Sequence, residues 1–308
     1  MTRVATFGNY QSALLDLMKA QTRAAEAQER VSTHKNATDL TGFGRQSETL
    51  TALKGAQSRI QGFIDTGEAV SSRLTTQDLA LNRIGDGIAG LREAVGSVLA
   101  TDSGGALMQE LEGHFQTIRG GLNMRHQGGY LFSGAKVNTT PMTAESLADL
   151  AAAPSVASVF ANDTLKTVSR VAEGTTLETG FLADEVGTEV MSILRDIQTY
   201  HASAAGPLTG KMTEAQKAFL QTQLGRLEQA ANGVIDKTAR TGSMANQVED
   251  VTKAHEAQLT SLDALVADRT DADMAQAVTD LQLSQVAIQA SAQVISQLRQ
   301  VSLLNYLR

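Results

Sequence analysis

Near the start of the chain Tyr10, Leu17, Ala24 and Val31 fall seven residues apart, with Leu14 between them and Gln21 and Gln28 continuing its row. This 3-4 stripe is the pattern of a helix lying side by side with another helix. The far end carries two adjacent rows, Leu281, Ile288, Ile295 and Ala287, Val294, Val301. Two rows make a wide apolar face, which should touch more than one neighbour. No Gly or Pro lies between Gly8 and Gly42, and none follows Gly242. Those residues cost a helix interior about 1 and about 3 kcal/mol, so both ends can hold long helices. Asp268, Asp271 and Asp273 precede the last one and suit a helix start, where the dipole favours negative charge. Periodicity alone also fits ordinary amphipathic helices within one monomeric bundle.

Between the ends the pattern changes several times. Thr41-Gly-Phe-Gly44 interrupts the first helix, and a second run is predicted from about Gln46 to Leu99. Gly85, Gly87, Gly90 and Gly96 lower its propensity, so fraying or close helix contact is expected there. Asp102–Gly105 reads as a turn, and a third helix as Leu107 to about Arg125. From about Gly134 to Thr179 the chain holds Pro141, Pro154 and a β-branched stretch, with a hairpin turn across Val171–Thr176, so a small α+β insertion is predicted. Helix resumes over Val186–Tyr200, breaks at Gly206-Pro207 and restarts near Thr213, where Thr213-Glu-Ala-Gln216 forms a capping box. The remainder reads as helix with short interruptions near Gly233 and Gly242.

Composition narrows the function classes. The 308 residues are 42% hydrophobic but only 4% aromatic, without Trp. A core of Ala, Leu, Val and Ile suits helical bundles better than a deep pocket. A net charge of -7 gives no basic footprint for nucleic acid. No stretch approaches the roughly 20 apolar residues of a membrane span, and the first residues show no signal-peptide pattern. The absence of Cys removes disulfides, thiol catalysis and Cys-type zinc sites. It reads either as the omission of a rare residue or as a trait of a chain threaded unfolded through a narrow channel.

Candidate chemistry is sparse. His34, His114, His126, His201 and His255 include no i, i+4 pair and no H-E-x-x-H. Gly85-Asp-Gly87-Ile-Ala-Gly90 matches G-x-G-x-x-G but sits inside a predicted helix with no strand before it, so no pyrophosphate cradle is expected. Acidic neighbours such as Asp184-Glu185 face different directions on a helix and cannot act as a catalytic pair. No catalytic, cofactor-binding or metal residue is assigned, and no enzyme activity is expected.

The ends carry a resemblance. Asp280–Arg308, closing on Ser302-Leu-Leu-Asn-Tyr-Leu307, resembles the tail of the flagellin superfamily. The Asn-Tyr is most similar to its hook–filament junction branch (hook-associated protein 3). Gly129-Tyr-Leu-Phe-Ser-Gly134 is similar to the segment by which these proteins leave the helical rod for the outer domain. The likeness covers about residues 1–135 and 180–308. Within Ser32–Gly44 the chain departs from the family: His34 stands in place of a glycine, and only Asp39 remains of an acidic pair.

The resemblance implies a mainly α fold, an elongated bundle of long antiparallel helices from the N- and C-terminal regions with a small α+β outer domain inserted. The expected parts are an N-terminal assembly helix (1–40), the rod's first half (41–135), the outer insertion (136–182), the rod's second half (183–265) and a C-terminal assembly helix (266–308). It implies a secreted, extracellular structural subunit of the bacterial flagellum, an adaptor at the hook–filament junction. Its partners would be other copies of itself, a neighbouring hook-associated protein, flagellin, the type III export apparatus and a chaperone on the C-terminal helix. Neither nucleic acid nor membrane insertion is implied. Flagellin itself and a cytoplasmic coiled-coil adaptor are the alternatives. The buried face between subunits is expected to use Leu14, Leu17, Val31, Leu281, Ile288, Val294, Ile295, Leu298 and Val301.

Overall fold

A computed structural model describes residues 2–304, with side chains over residues 8–299. The fold is mainly α, built on long antiparallel helices with a small α+β insertion. The chain divides into two compact units: residues 1–59 with 258–308, and residues 60–257. Two long helices, α2 (Ser47–Thr101) and α6 (Glu214–Thr270), contribute to both.

In the unit spanning 60–257, α2 and α6 run antiparallel. Gly67 faces Thr252, Gln77 donates to Thr241 Oγ1 at 3.0 Å, Gly85 faces Val234, and Arg92 pairs with Glu228 at 3.5 Å. Onto them pack α3 (Leu107–Leu122) and α5 (Ala183–His201). The shared core is aliphatic with few rings: Leu81, Ile84, Ile88 and Leu91 meet Phe115, Ile118, Ile193, Leu194, Leu220 and Leu227, all buried. The glycines of α2 do not break it. Gly87 and Gly90 instead lie where α3 presses closest, against Ile118 and His114, and Gly121 of α3 fits against Ile84. Gln77 is wholly buried, and its Oε1 has no hydrogen-bond partner.

The insertion begins with a short antiparallel pair, β1 (Arg125–His126) and β2 (Gly129–Tyr130), turning through Gly128 at φ 87°. It continues through α4 (Leu147–Ala152), capped by Ser146 accepting from Asp149 N. It ends in the hairpin of β3 (Val168–Ala172) and β4 (Thr175–Glu178). Val171 tucks inward, and its carbonyl meets His255 Nε2 of α6 at 3.1 Å.

The start of α6 has the expected reciprocal cap: Gln216 N donates to Thr213 Oγ1, and Thr213 N to Gln216 Oε1. The predicted interruptions near Gly233 and Gly242 are absent, for α6 runs unbroken through both. Each glycine costs about 1 kcal/mol, which the apolar face buried along the same helix outweighs.

The other unit holds α1 (Thr2–Thr33), a 3-10 turn over Thr41–Gln46, the first part of α2, the last part of α6, and α7 (Met274–Leu304). Here Gln57 of α2 donates to Asp263 of α6 at 2.6 Å, and Leu50 is fully buried.

Candidate assembly interface

Helices α1 and α7 lie antiparallel, fixed at one end by Arg30–Asp280 at 3.4 Å. On α1, apart from the ion-paired Arg30, the half-buried and buried positions among the described side chains are Tyr10, Ala13, Leu17, Ala20, Ala24, Ala27 and Val31. On α7, apart from Met274 and Asp280, they are Ala277, Leu281, Ser284, Ile288, Ser291, Ile295 and Leu298. Both sets alternate by three and four, the spacing of a two-helix seam. One predicted row of each helix therefore lies in the seam: Tyr10, Leu17, Ala24, Val31 on α1 and Leu281, Ile288, Ile295 on α7. The other rows differ. Ala13, Ala20 and Ala27 occupy the place expected of Leu14, Gln21 and Gln28, and Ser284, Ser291 and Leu298 that of Ala287 and Val294. Alanine and serine fill most of this second row, with Leu298 at its far end.

The consequence is an apolar surface left outside the pair. Leu14, Leu15 and Met18 of α1 are 41% to 57% exposed, and Leu283, Val286 and Val294 of α7 are 47% to 63% exposed. Of the residues expected to meet other subunits, Leu14 and Val294 are open to solvent, while Leu17, Val31, Leu281, Ile288, Ile295 and Leu298 line the seam within the chain. The side chains of Val301 and of the Ser302–Leu307 run lie outside the described residues. Leu15, Met18, Leu283 and Val286 went unread in the sequence, although a second count along each helix finds them on one outer side.

Charge is divided unequally between the two helices. Helix α1 carries Asp16, Lys19, Arg23, Glu26, Glu29 and Arg30, whereas α7 has no charged residue from Leu281 to Leu298. A groove of about 740 Å³ opens along one side of the pair, lined by Asp16, Lys19, Arg23 and Arg30 on α1 and by Asp280, Leu283, Ala287 and Ser291 on α7.

Beyond α1 the chain is clamped to the α6–α7 joint. Asn36 N donates to Thr270 O at 2.7 Å, Ala272 N to His34 O at 3.0 Å, and Asn36 Nδ2 to Asp271 O at 2.8 Å. Lys35 Nζ pairs with Asp271, and that hydrogen bond holds the Asp271 carboxyl below the ordinary aspartate value. His34, at the position where a glycine was expected, takes φ 57° and places Nδ1 3.2 Å from Met274 Sδ. The backbone thus keeps the left-handed conformation that glycine adopts most readily. Asp39 accepts from Thr41 Oγ1 and Gly42 N, which lowers its pKa and shapes the 3-10 turn. Asp273 caps α7 by accepting from Ala275 N and Gln276 N.

Among the described residues no cluster of three His, Asp or Glu could hold a metal ion, and no helix is long and apolar enough to cross a membrane.

Comparison with known proteins agrees with this geometry. No curated protein sequence matches the chain significantly. Among solved structures, a candidate flagellar hook-associated protein from Vibrio parahaemolyticus superposes with a TM-score of 0.60 at 18% identity, covering 75% of this chain and 100% of that one. FlgL of Bacillus cereus gives 0.52 at 16% identity, over 70% of this chain and 98% of that one. FlgL of Xanthomonas campestris gives 0.56 at 14%, over 70% and 99%. Residues 224–307 match the model of the bacterial flagellin C-terminal helical region. Over residues 224–307 the chain is thus similar to the flagellin C-terminal helical region, and it shares its fold with these three structures.

Proposed function

We propose that this chain is a non-enzymatic structural subunit of the bacterial flagellum, an adaptor at the hook–filament junction that assembles through its terminal helices. One observation carries the reading. The α1–α7 pair closes on a seam that mixes Leu17, Leu281, Ile288 and Ile295 with alanines and serines, and leaves Leu14, Leu15, Met18, Leu283, Val286 and Val294 exposed, on a fold shared with FlgL. Contiguous apolar faces of that kind mark surfaces that another chain covers. The assembly helices in this reading are residues 1–40 and 266–308, and the outer domain is 136–182.

The partners are further copies of the chain, a neighbouring hook-associated protein and flagellin. The chain reaches them by flagellar type III export, escorted by a chaperone on α7, and works outside the cell. Its acidic surface suits neither nucleic acid nor an anionic membrane.

Immunolabelling of intact flagella tests the reading: a single band at the distal edge of the hook is expected, and its absence there defeats the proposal. At the residue level, Ile288→Asp places a charge in the α1–α7 seam. It should stop incorporation at the junction while the 60–257 unit keeps its helical circular dichroism. Normal assembly of that variant would show that the seam is dispensable.

A second reading, flagellin itself, is favoured by the match of residues 224–307 to the flagellin helical region. It expects label along the whole filament and long polymers grown from seeds, where an adaptor adds a limited layer.

A further inference from the structure

Within the 60–257 unit, α2 and α6 meet along rows that repeat every seven residues. One buried row of α2 runs Val70, Leu74, Gln77, Leu81, Ile84 and Ile88. One of α6 runs Ala230, Val234, Thr241, Met244 and Val248, with half-buried Lys237 in the gap. Steps of three and four make a heptad seam. Gln77 is the one polar side chain in the first row, and Thr241 the one fully buried polar side chain in the second.

A repeat of this kind does not fix its own register. A slip of seven residues, about 10 Å along the axis, would mate apolar with apolar again along most of the seam. The exception is the polar pair: Gln77 would then face Val234 or Val248, and Thr241 would face Val70 or Ile84. The structure holds one register, with Gly67 by Thr252, Gln77 Nε2 donating to Thr241 Oγ1 at 3.0 Å, and Gly85 by Val234.

The pair also stands where the other helices stop. Gly121, in the last turn of α3, lies against Ile84 and the Ala80 carbonyl, and Phe181, just ahead of α5, lies by Arg240. Neither α3 nor α5 therefore fixes the stretch from Gln77 back towards Ile64. That stretch holds the insertion from both sides. Arg73 of α2 donates to Leu131 O at 3.1 Å, and His255 of α6 meets Val171 O at 3.1 Å. A slip would carry these two anchors apart by about 10 Å.

We infer that Gln77 and Thr241 form a register pin, a polar contact that admits one alignment of α2 on α6 and thereby sets where the insertion is held. A buried polar contact in a heptad seam gives up stability and gains a single alignment. The orphaned Gln77 Oε1 is that sacrifice here.

The chain has no Cys, so nitroxide labels can be placed at Glu68→Cys and Ile235→Cys, both exposed, one on each helix. Pulsed electron resonance on the full chain, refolded from urea, should give a single distance. Gln77→Leu with Thr241→Val should add a second distance about 10 Å away, in about a tenth of the molecules, while its urea midpoint stays equal or rises. The exchanged pair, Gln77→Thr with Thr241→Gln, keeps a polar contact at the same level and should return the single distance. The pin is overturned if the leucine–valine variant keeps one unshifted distance, or if its midpoint falls, which would make the pair an ordinary stabilising contact. It is overturned equally if the exchanged variant still shows two distances.

Discussion

Gly87 looks in the sequence like part of a nucleotide-binding fingerprint, and in the structure it is a contact between helices. A Cβ at this position would stand 2.4 Å from Ile118 Cγ1, 3.2 Å from Ile118 Cδ1 and 3.3 Å from the His114 carbonyl oxygen. Ordinary carbon contacts lie near 3.5–4.0 Å, so the overlap exceeds a full ångström against a wholly buried, β-branched side chain backed by main chain. Overpacking of this kind costs about 1–3 kcal/mol, and here the upper part of that range applies. Replacing a helical glycine by alanine offsets about 1 kcal/mol of it. Gly87→Ala should therefore lose about 1–2 kcal/mol. With a urea slope of about 2 kcal/mol/M, the unfolding midpoint falls by roughly 0.5–1 M. Gly96→Ala, in the same helix but with nothing within 4 Å of its Cβ, should raise the midpoint instead. Urea titrations of both variants by circular dichroism settle the matter. A Gly87→Ala midpoint equal to or above that of the unsubstituted chain would refute the close-packing account.

The orphaned carbonyl oxygen of Gln77 makes a second prediction. Gln77→Leu removes a buried polar atom without a partner, and Thr241 Oγ1 keeps its bond to Lys237 O, so stability should rise by about 1 kcal/mol; a lower urea midpoint contradicts this. The clamp between His34–Asn36 and Thr270–Ala272 should respond to acid. The folded pKa of Asp271 lies below its ordinary value of 3.8, so its contribution is complete above that value and is lost as pH falls through the lower folded one. Hydrogen exchange at the Asn36 and Ala272 amides, corrected for intrinsic rates, should accelerate only in that acid window, and Lys35→Met should remove most of the pH dependence. Unchanged protection on acidification would mean that the backbone bonds alone hold the clamp.

Helix extents were legible because their signals are local. The absence of Gly and Pro beyond Gly8 marked most of α1, Thr213 and Gln216 marked the start of α6, and the β-branched run around Val168–Ala172 marked the hairpin. What periodicity does not contain is which apolar row turns inward. A hydrophobic count favours Leu14 over Ala13, yet Ala13 is half-buried in the seam and Leu14 lies outside it. The glycines of α2 mark close helix contact, one of the two outcomes expected of them, whereas those of α6 mark no interruption. Propensity counts their cost in an isolated helix, while Gly87 and Gly90 of α2 sit where α3 presses against them, and Gly233 and Gly242 of α6 are simply carried by the long helix around them. The candidate interface was thus visible as a pair of helices, but which of two adjacent rows turns inward is not recorded in a hydropathy pattern.

The alanine row of α1 bears on how firmly that pair is held. A methyl group withdrawn from water contributes about 0.8 kcal/mol, so Ala13, Ala20 and Ala27 together give roughly what one well-covered leucine supplies. Most of the hold on the pair must then come from Leu17, Leu281, Ile288 and Ile295 in the row beside it, so trimming that row should loosen the two ends far more than trimming the alanines.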